Sequence, residues 1–369
     1  MRLGLVVALA LSATPAVAQQ RGSLISAEPI ALLHQRGAQA WRIRYWTADD
    51  RGQPLAVTGV VAAPRSAAPA GSRNVIAWAH GTWGTATDCA PSSSPGFAEM
   101  TPALAAVRDG YVVVAPDYPG LGSAGAHPYL VGTVTARSVL DAVRAARALR
   151  RTSAGNSFAV WGESQGGHAA IWTGQLARTD APELRLVGIA AAAPVTDLAA
   201  NFRQARDPNA KAFLTALAAD SWSKYYNVPL VIGVGRTPAI IRRMAGKCVN
   251  LDRRPNLGSV LGILALRQDL RSFDFTSTPP WSSIIAANSV APIVSYPVLI
   301  AQTQSDPLVA PAVTRAWARN LCANRVRVRW IDLPGGNHAT SAKQSAAATL
   351  QWIADRFAAK QAPSDCGNI

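Results

Sequence analysis

Residues 158–167, Phe-Ala-Val-Trp-Gly-Glu-Ser-Gln-Gly-Gly, constrain this chain more than any other stretch. An apolar run of strand character stops at Gly162, and a helix-compatible sequence begins just beyond Ser164. A strand that feeds a helix through Gly-x-Ser-x-Gly has to turn sharply, which pushes the serine hydroxyl into the open. Glycines two before and two after Ser164 are required because Cβ atoms there would strike the neighbouring strand and helix. The five-residue pattern recurs by accident in glycine-containing chains, so its weight comes from the flanking strand and helix patterns.

The rest of the chain supplies the sheet that such a turn needs. Residues 41–47 and 55–63 are β-rich and separated by Asp49-Asp50-Arg51-Gly52, which predicts an antiparallel hairpin at a sheet edge. Short apolar runs follow at 75–79, 111–115, 158–161, 186–192, 298–301 and 326–331, the kind buried on both faces of a parallel sheet. Helix-like stretches at 100–108, 134–149, 165–177, 310–321 and 342–357 alternate with them. Alternation of this kind implies a doubly wound α/β sheet with its active groups at the strand C-termini.

The alternation fails once, between the strand ending near Ala192 and the one beginning near Val298. A structureless loop of that length does not belong in a compact domain. Residues 198–219 and 238–245 read as helical, so the segment 199–296 is expected to be a mostly helical lid or cap over the mouth of the site. A separate small domain away from the site is the alternative.

Composition narrows the setting. Residues 1–18 read as a cleavable signal peptide: Arg2, an apolar stretch to Leu11, then Ala16-Val17-Ala18. The chain from residue 19 to 369 is then expected to be one exported domain, secreted or periplasmic. No later run reaches the length of a bilayer span; 284–302 comes nearest and is broken by Asn288, Ser289, two prolines and Tyr296. Cys89, Cys248, Cys322 and Cys366 suit an oxidising compartment, have no Cys-x-x-Cys spacing and allow three pairings. Neither a metal nor an organic cofactor is expected. The formal charge is +15, carried mostly by arginine, and its bland reading is a solvated surface. Basic residues do not interleave densely with aromatics, so nucleic acid is not an expected partner.

A serine needs a base, and the base needs an orienting acid. The histidines are His34, His80, His127, His168 and His338. His338 follows a strand-like run through a loop containing Gly335-Gly336, and it comes after Ser164, the chain order this turn requires. His168 lies on the helix behind the serine, where packing or capping is its expected role. Asp306 follows the 298–301 run and is the favoured acid; Asp197 competes, and Asp332 is too close to His338. Asp306-Pro307 could instead be a plain turn former. Two backbone N–H donors for a developing oxyanion are worth ~3 kcal/mol each. Gln165, directly after the serine, supplies one. Thr82 in His80-Gly81-Thr82-Trp83-Gly84 is assigned the other, with Gly81 as fallback and His80 as a brace.

At this point the chain resembles a known family. Strand–His80-Gly81-Thr82, Cys89-Ala90-Pro91-Ser92, Pro116-Asp117-Tyr118-Pro119-Gly120-Leu121-Gly122 and the 162–167 elbow look like the secretory lipases, α/β-hydrolases typified by yeast lipase A. The likeness covers most of 70–360. It implies an α/β-hydrolase fold, a Ser164–Asp306–His338 triad, a lid near 199–296, and disulfides Cys89–Cys248 and Cys322–Cys366. It implies a lipase or carboxylesterase acting on small-molecule or lipid esters, with transient lipid-surface contact through the lid. The lid sequence itself does not match residue by residue. Amide specificity on the same scaffold, or a silent binding protein, are the rival expectations.

Overall fold

The computed structural model describes residues 19–31, 37–233, 235–249, 257–271 and 273–369. The expected leader at 1–18 and His34 lie outside the described residues. Three antiparallel strands, β1 (Leu24–Ile30), β2 (Ala38–Ala48) and β3 (Pro54–Pro64), form one edge of the sheet. The hairpin turn between β2 and β3 closes because Asp49 Oδ1 accepts the N–H groups of Arg51 and Gln53. Trp41 lies opposite Val61 and Tyr45 opposite Val57, so the apolar residues of both strands share a face.

The parallel part follows: β4 (Arg73–Ala79), β5 (Val112–Pro116), β6 (Ala154–Glu163), β7 (Arg185–Ala192), β8 (Val298–Thr303) and β9 (Val328–Leu333). The order across the sheet is β1-β2-β3-β5-β4-β6-β7-β8-β9, with β6 near the middle. Sequence reading missed β1, whose polar Ser26, Glu28 and Pro29 hide its alternation.

Helices α1 (Gly132–Ala148) and α2 (Gln165–Asp180) cover one face. Among the described residues, five helices stand between β7 and β8: α3 (Leu198–Gln204), α4 (Pro208–Tyr225), α5 (Thr237–Ala245), α6 (Leu257–Asp269) and α7 (Trp281–Asn288). Helix α8 (Pro311–Ala323) joins α1 and α2, while α9 (Ser341–Gln344) and α10 (Ala346–Phe357) lie on the opposite face. The expected helix at 198–219 is two helices because Asp207 caps α4 and Pro208 opens it. The one at 100–108 is a 3-10 helix, Pro102–Asp109.

Strand alternation divides the core. Val75, Ala77, Phe158 and Val160 point toward α1 and α2, whereas Ile76, Trp78, Ala159 and Trp161 point toward α10. Trp78 and Trp161 meet edge to face at 5.2 Å. Each fully buried aliphatic or Phe side chain contributes roughly 1.5–3 kcal/mol, so β6 is anchored from both faces. The helical insertion has its own cluster around Leu217, Trp222, Ile241, Met244 and Trp281, and Tyr129–Val131 of the body belong to it. Trp222 Nε1 donates to the Tyr129 carbonyl at 2.7 Å, and Ser221 Oγ accepts the Tyr129 N–H and donates to His127 O.

Cys89 is bonded to Cys248 and Cys322 to Cys366. The first ties the loop after β4 to the insertion. The second ties α8 to the C-terminal tail. Among the described residues no helix is long and apolar enough to cross a membrane, and no cluster of metal-ligating side chains is assembled.

Candidate active site

Ser164 sits where β6 passes into α2, with φ 56° and ψ −116°. This strained conformation is rare outside glycine. Its neighbours show why the glycines are needed: a Cβ on Gly166 would lie 1.9 Å from Ala79 O, and one on Gly162 would lie 2.1 Å from Gly166 O. The Ser164 N–H donates to Ala192 O and its carbonyl accepts from His168 N, so the turn is fixed by β7 on one side and α2 on the other.

His338 Nε2 lies 2.8 Å from Ser164 Oγ, and His338 Nδ1 lies 2.8 Å from Asp306 Oδ2. Asp306 is completely buried; its Oδ1 accepts N–H groups from Leu308 and Val309. The turn-forming and imidazole-orienting readings of Asp306 therefore coexist, one on each carboxylate oxygen. The insertion clamps this turn: Arg206 and Asp207 donate backbone N–H groups to Pro307 O, and Arg206 Nη2 donates to Asp306 O. Asp197 is elsewhere, capping α3 through the Ala200 N–H, and Asp332 faces solvent against Arg315 and Trp330.

Gln165 is the first residue of α2, so its N–H has no carbonyl within the helix to donate to and lies at the positive end of the helix dipole. Its side chain donates through Nε2 to His127 Nε2 at 3.1 Å, while His127 Nδ1 donates to Pro119 O at 2.9 Å. That pairing requires a neutral His127, in keeping with burial lowering it to about 4. The loop carrying Thr82 lies against the elbow: a Cβ on Gly81 would stand 3.3 Å from Glu163 O and 3.9 Å from Ser164 Cβ. Thr82 Oγ1 pairs with Tyr129 Oη at 2.9 Å, and burial pushes the Tyr129 phenol up to about 12.

His80 braces this loop. Its ring stacks on Tyr118 at 4.1 Å, its Nδ1 donates to Gly81 O, and burial lowers it to about 3. Tyr118 Oη donates to His80 O, and the neighbouring Asp117 carboxylate accepts from Ser92 N and Thr58 Oγ1. The Cys89–Ser92 and Pro116–Gly122 motifs are thus one bonded unit under the loop. His168 lies within α2 and is fully buried, Nε2 donating to Asn288 O at 2.8 Å.

Sequence reasoning missed the roles of four residues at this site. Glu163 is buried beside the relay, and Oε1 accepts the Ala342 N–H; burial pushes its carboxyl up to about 7. Tyr129 and His127 had no pattern to mark them, since His-Pro-Tyr follows a loop of no regular period. Asn201 accepts the Ala310 N–H and donates to Asp197 O, joining α3 to the segment after Asp306. A small apolar cavity of about 50 Å³ opens over Ser164 and His338, walled by Tyr129, Leu198, Phe202 and Leu214 among others.

Hydroxyl, imidazole and buried carboxylate in line are placed for base-assisted attack by the serine on a carbonyl. Sheet order, elbow and relay define the class: this is an α/β-hydrolase with a serine-type relay. The chain belongs to the secretory lipase family, whose model matches residues 94–226 and 271–365. Residues 227–270, which hold α5 and α6, fall between the two matched parts. Lipase 5 of Candida albicans is 27% identical over 89% of this chain and 74% of its own length. A Mycobacterium tuberculosis protein named a probable inactive lipase is 27% identical over 87% of this chain and 74% of its own. The fold is shared with Candida antarctica lipase A at a TM-score of 0.75, 17% identity, and coverage of 95% and 85% of the two chains.

Proposed function

We propose that this chain is a secreted serine hydrolase of carboxylic esters, with Ser164, His338 and Asp306 as its triad. The observation that carries the reading is the unbroken Ser164–His338–Asp306 relay, both links at 2.8 Å, under an apolar cavity. Ser164 Oγ bonds to the ester carbonyl carbon while His338 takes its proton. The C–O bond to the alcohol then breaks, and the alcohol leaves with that proton. Water, deprotonated by His338, attacks the acyl-enzyme and releases the acid, restoring the serine. Asp306 holds the imidazole in the tautomer that presents Nε2 to the serine. The N–H groups of Gln165 and Thr82 receive the oxyanion.

Residues 199–296 act as a lid in this reading, supported by the insertion side chains that wall the cavity: Phe202, Ala205, Lys211 and Leu214. Export is supported by the two disulfides, by the family, and by a Malassezia globosa relative named a secreted triacylglycerol lipase. The relay is complete, which supports turnover despite the likeness to the protein named probably inactive.

The test is hydrolysis of p-nitrophenyl butyrate and palmitate by the purified protein and by Ser164→Ala, with fluorophosphonate labelling of both. Cleavage and labelling that vanish in the variant are expected. Undiminished cleavage by Ser164→Ala sinks the assignment, and labelling without cleavage of either ester redirects it toward amides.

A further inference from the structure

The cavity over Ser164 is too small for more than the reacting atoms, but it shares a wall with a much larger one. A space of about 510 Å³ lies between α3, α4, the end of α6 and the segment that follows, and Phe202 and Lys211 line both cavities. Four cations line the larger space: Arg203, Lys211, Arg267 and Arg271. None of them is ion-paired with a described residue. Arg203 donates to Thr276 Oγ1 and Lys211 to Arg203 O, and the other two make no such bond among the described residues.

Among the described residues a single carboxylate, Asp274, lines the cavity, and it is already engaged. Oδ1 accepts from Thr276 N and Oγ1, and Oδ2 accepts from Ser277 Oγ. The apolar part is aromatic: Phe202 and Phe275 meet edge to face at 5.2 Å, and Phe275 stacks on Trp222 at 5.5 Å. Elsewhere five arginines of this basic chain are ion-paired among the described residues, and most of the others are not. Arg21, Arg137 and Arg144 bind Asp141, Asp180 and Glu183, Arg315 binds Asp332, and Arg329 binds Asp365. A solvated basic surface does not require unpaired cations gathered in a cavity beside a nucleophile. Arg203 and Arg271 are exposed and Lys211 and Arg267 half-buried, so an anion reaching this open cleft gains charge-assisted hydrogen bonds while keeping part of its hydration.

We propose that this cavity receives an anionic group, a carboxylate or phosphate, carried by the ester whose carbonyl sits at Ser164. The inference rests on the serine ester-hydrolase reading and narrows its substrate class to esters bearing a negative charge beyond an apolar spacer. Lys211, present in both cavities, marks the passage between them. Phe202 and Phe275 contact the spacer, while Arg267 and Arg271 hold the charge.

The test compares p-nitrophenyl half-esters of succinic, adipic and suberic acid with neutral p-nitrophenyl esters of equal chain length. Dihexanoyl phosphatidic acid against dihexanoylglycerol forms the phosphate arm, and whichever arm shows the preference identifies the anion. Wild type is expected to favour the charged member of one series, with an optimum at one spacer length. Replacing Arg267 and Arg271 together by Gln should raise KM for the charged esters about tenfold, the scale of a lost charge-assisted contact, with neutral esters little affected. Arg267→Lys with Arg271→Lys should restore most of it. Equal losses on charged and neutral esters, or none on either, would overturn the proposal while leaving the serine mechanism intact. Calorimetric titration with azelate reads the cavity without turnover. Binding that disappears in the Gln pair supports the anion site even if no ester is cleaved, and undiminished binding overturns it.

Discussion

Glu163 Oε1 accepts the backbone N–H of Ala342 at 2.8 Å, so the residue before the elbow serine holds the start of the segment that follows His338. Ser164 and His338 arrive from strands β6 and β9, 174 positions apart in sequence, and this bond joins their loops directly. Glu163→Ala would leave the Ala342 N–H buried and unpaired, at about 1–3 kcal/mol. A lower melting temperature with a reduced kcat is expected, and Glu163→Gln, which keeps an acceptor, should recover most of both. The carboxyl also has a pH signature, because burial pushes it from 4.5 to about 7 in the fold. The folded form binds its proton more tightly, so this contribution is full below the unfolded value and is lost as pH rises through about 7. Going from about pH 4 to about pH 9, Glu163→Gln should gain on wild type by something on the order of 3 kcal/mol. Denaturant melts at both ends check it, and a pH-independent difference would refute the raised carboxyl.

The glycines around the elbow should separate activity from folding. Gly166→Ala forces a Cβ to 1.9 Å from Ala79 O, a clash with backbone that cannot move. Loss of soluble folded protein is expected. Gly81→Ala meets Glu163 O at 3.3 Å, a contact relieved by a few tenths of an ångström. That displacement falls on the loop bearing the Thr82 N–H, so kcat should drop by roughly ten- to a hundredfold, part of the 10²–10³ attributed to a whole oxyanion donor. Circular dichroism beside steady-state kinetics distinguishes the two. A Gly81→Ala enzyme with normal kcat would remove Thr82 from the oxyanion role.

Reduction should touch the site through one disulfide only. Cys89–Cys248 spans 159 positions and Cys322–Cys366 spans 44, and chain entropy assigns them about 5 and about 4 kcal/mol as upper figures. The first also fixes the position of the loop bearing Thr82: a Cβ on Gly84 would lie 2.8 Å from Cys89 Sγ, and Val249 N donates to Trp83 O. The Thr82 loop is thereby pressed between body and insertion. Cys89→Ala with Cys248→Ala should lower both melting temperature and kcat, whereas Cys322→Ala with Cys366→Ala should lower the melting temperature alone. Equal kinetic effects of the two pairs would count against this coupling.

The legibility of the fold follows period and burial. Strands β4 to β8 were readable because both of their faces are largely buried, which leaves apolar runs such as Val112–Pro116, whereas β9 at the edge shows alternation, with Val328 and Trp330 buried and Arg329 exposed. Strand β1 was not, since Ile25, Glu28 and Pro29 are exposed at a sheet edge and break the alternation. Ser164, His338 and Asp306 were readable because each follows a strand, and chain order restricts the partners. Glu163, His127 and Tyr129 act through contacts made only after folding, with residues 38 to 179 positions away or through a hydroxyl–hydroxyl pair. Nothing local marks such residues. In the insertion, α6 escaped notice because Leu257, Leu261 and Leu264 face outward and blur its amphipathic period.

Acid should unfold this protein through three buried imidazoles. Burial lowers His80 to about 3, and His127 and His168 to about 4, from an ordinary 6.5. Geometry gives the reason. His127 Nε2 already accepts from Gln165, so a proton there would face a donor, and His80 Nε2 and His168 Nδ1 have no acceptor to meet one. Unfolded, all three take up protons below about 6.5 while the folded state refuses them. Their contribution is therefore present above that pH and lost as pH falls toward about 4. Each is worth on the order of 3 kcal/mol. Glu163 pulls the other way over the same range, but one carboxyl does not offset three imidazoles. The melting temperature should fall steeply between about pH 6.5 and about pH 4. His168→Gln, whose amide can still donate to Asn288 O from outside the catalytic relay, should melt lower at neutral pH and show a shallower decline in acid. Calorimetry across that range decides the matter, and an unchanged slope in His168→Gln would mean that His168 is not one of the groups resisting protonation.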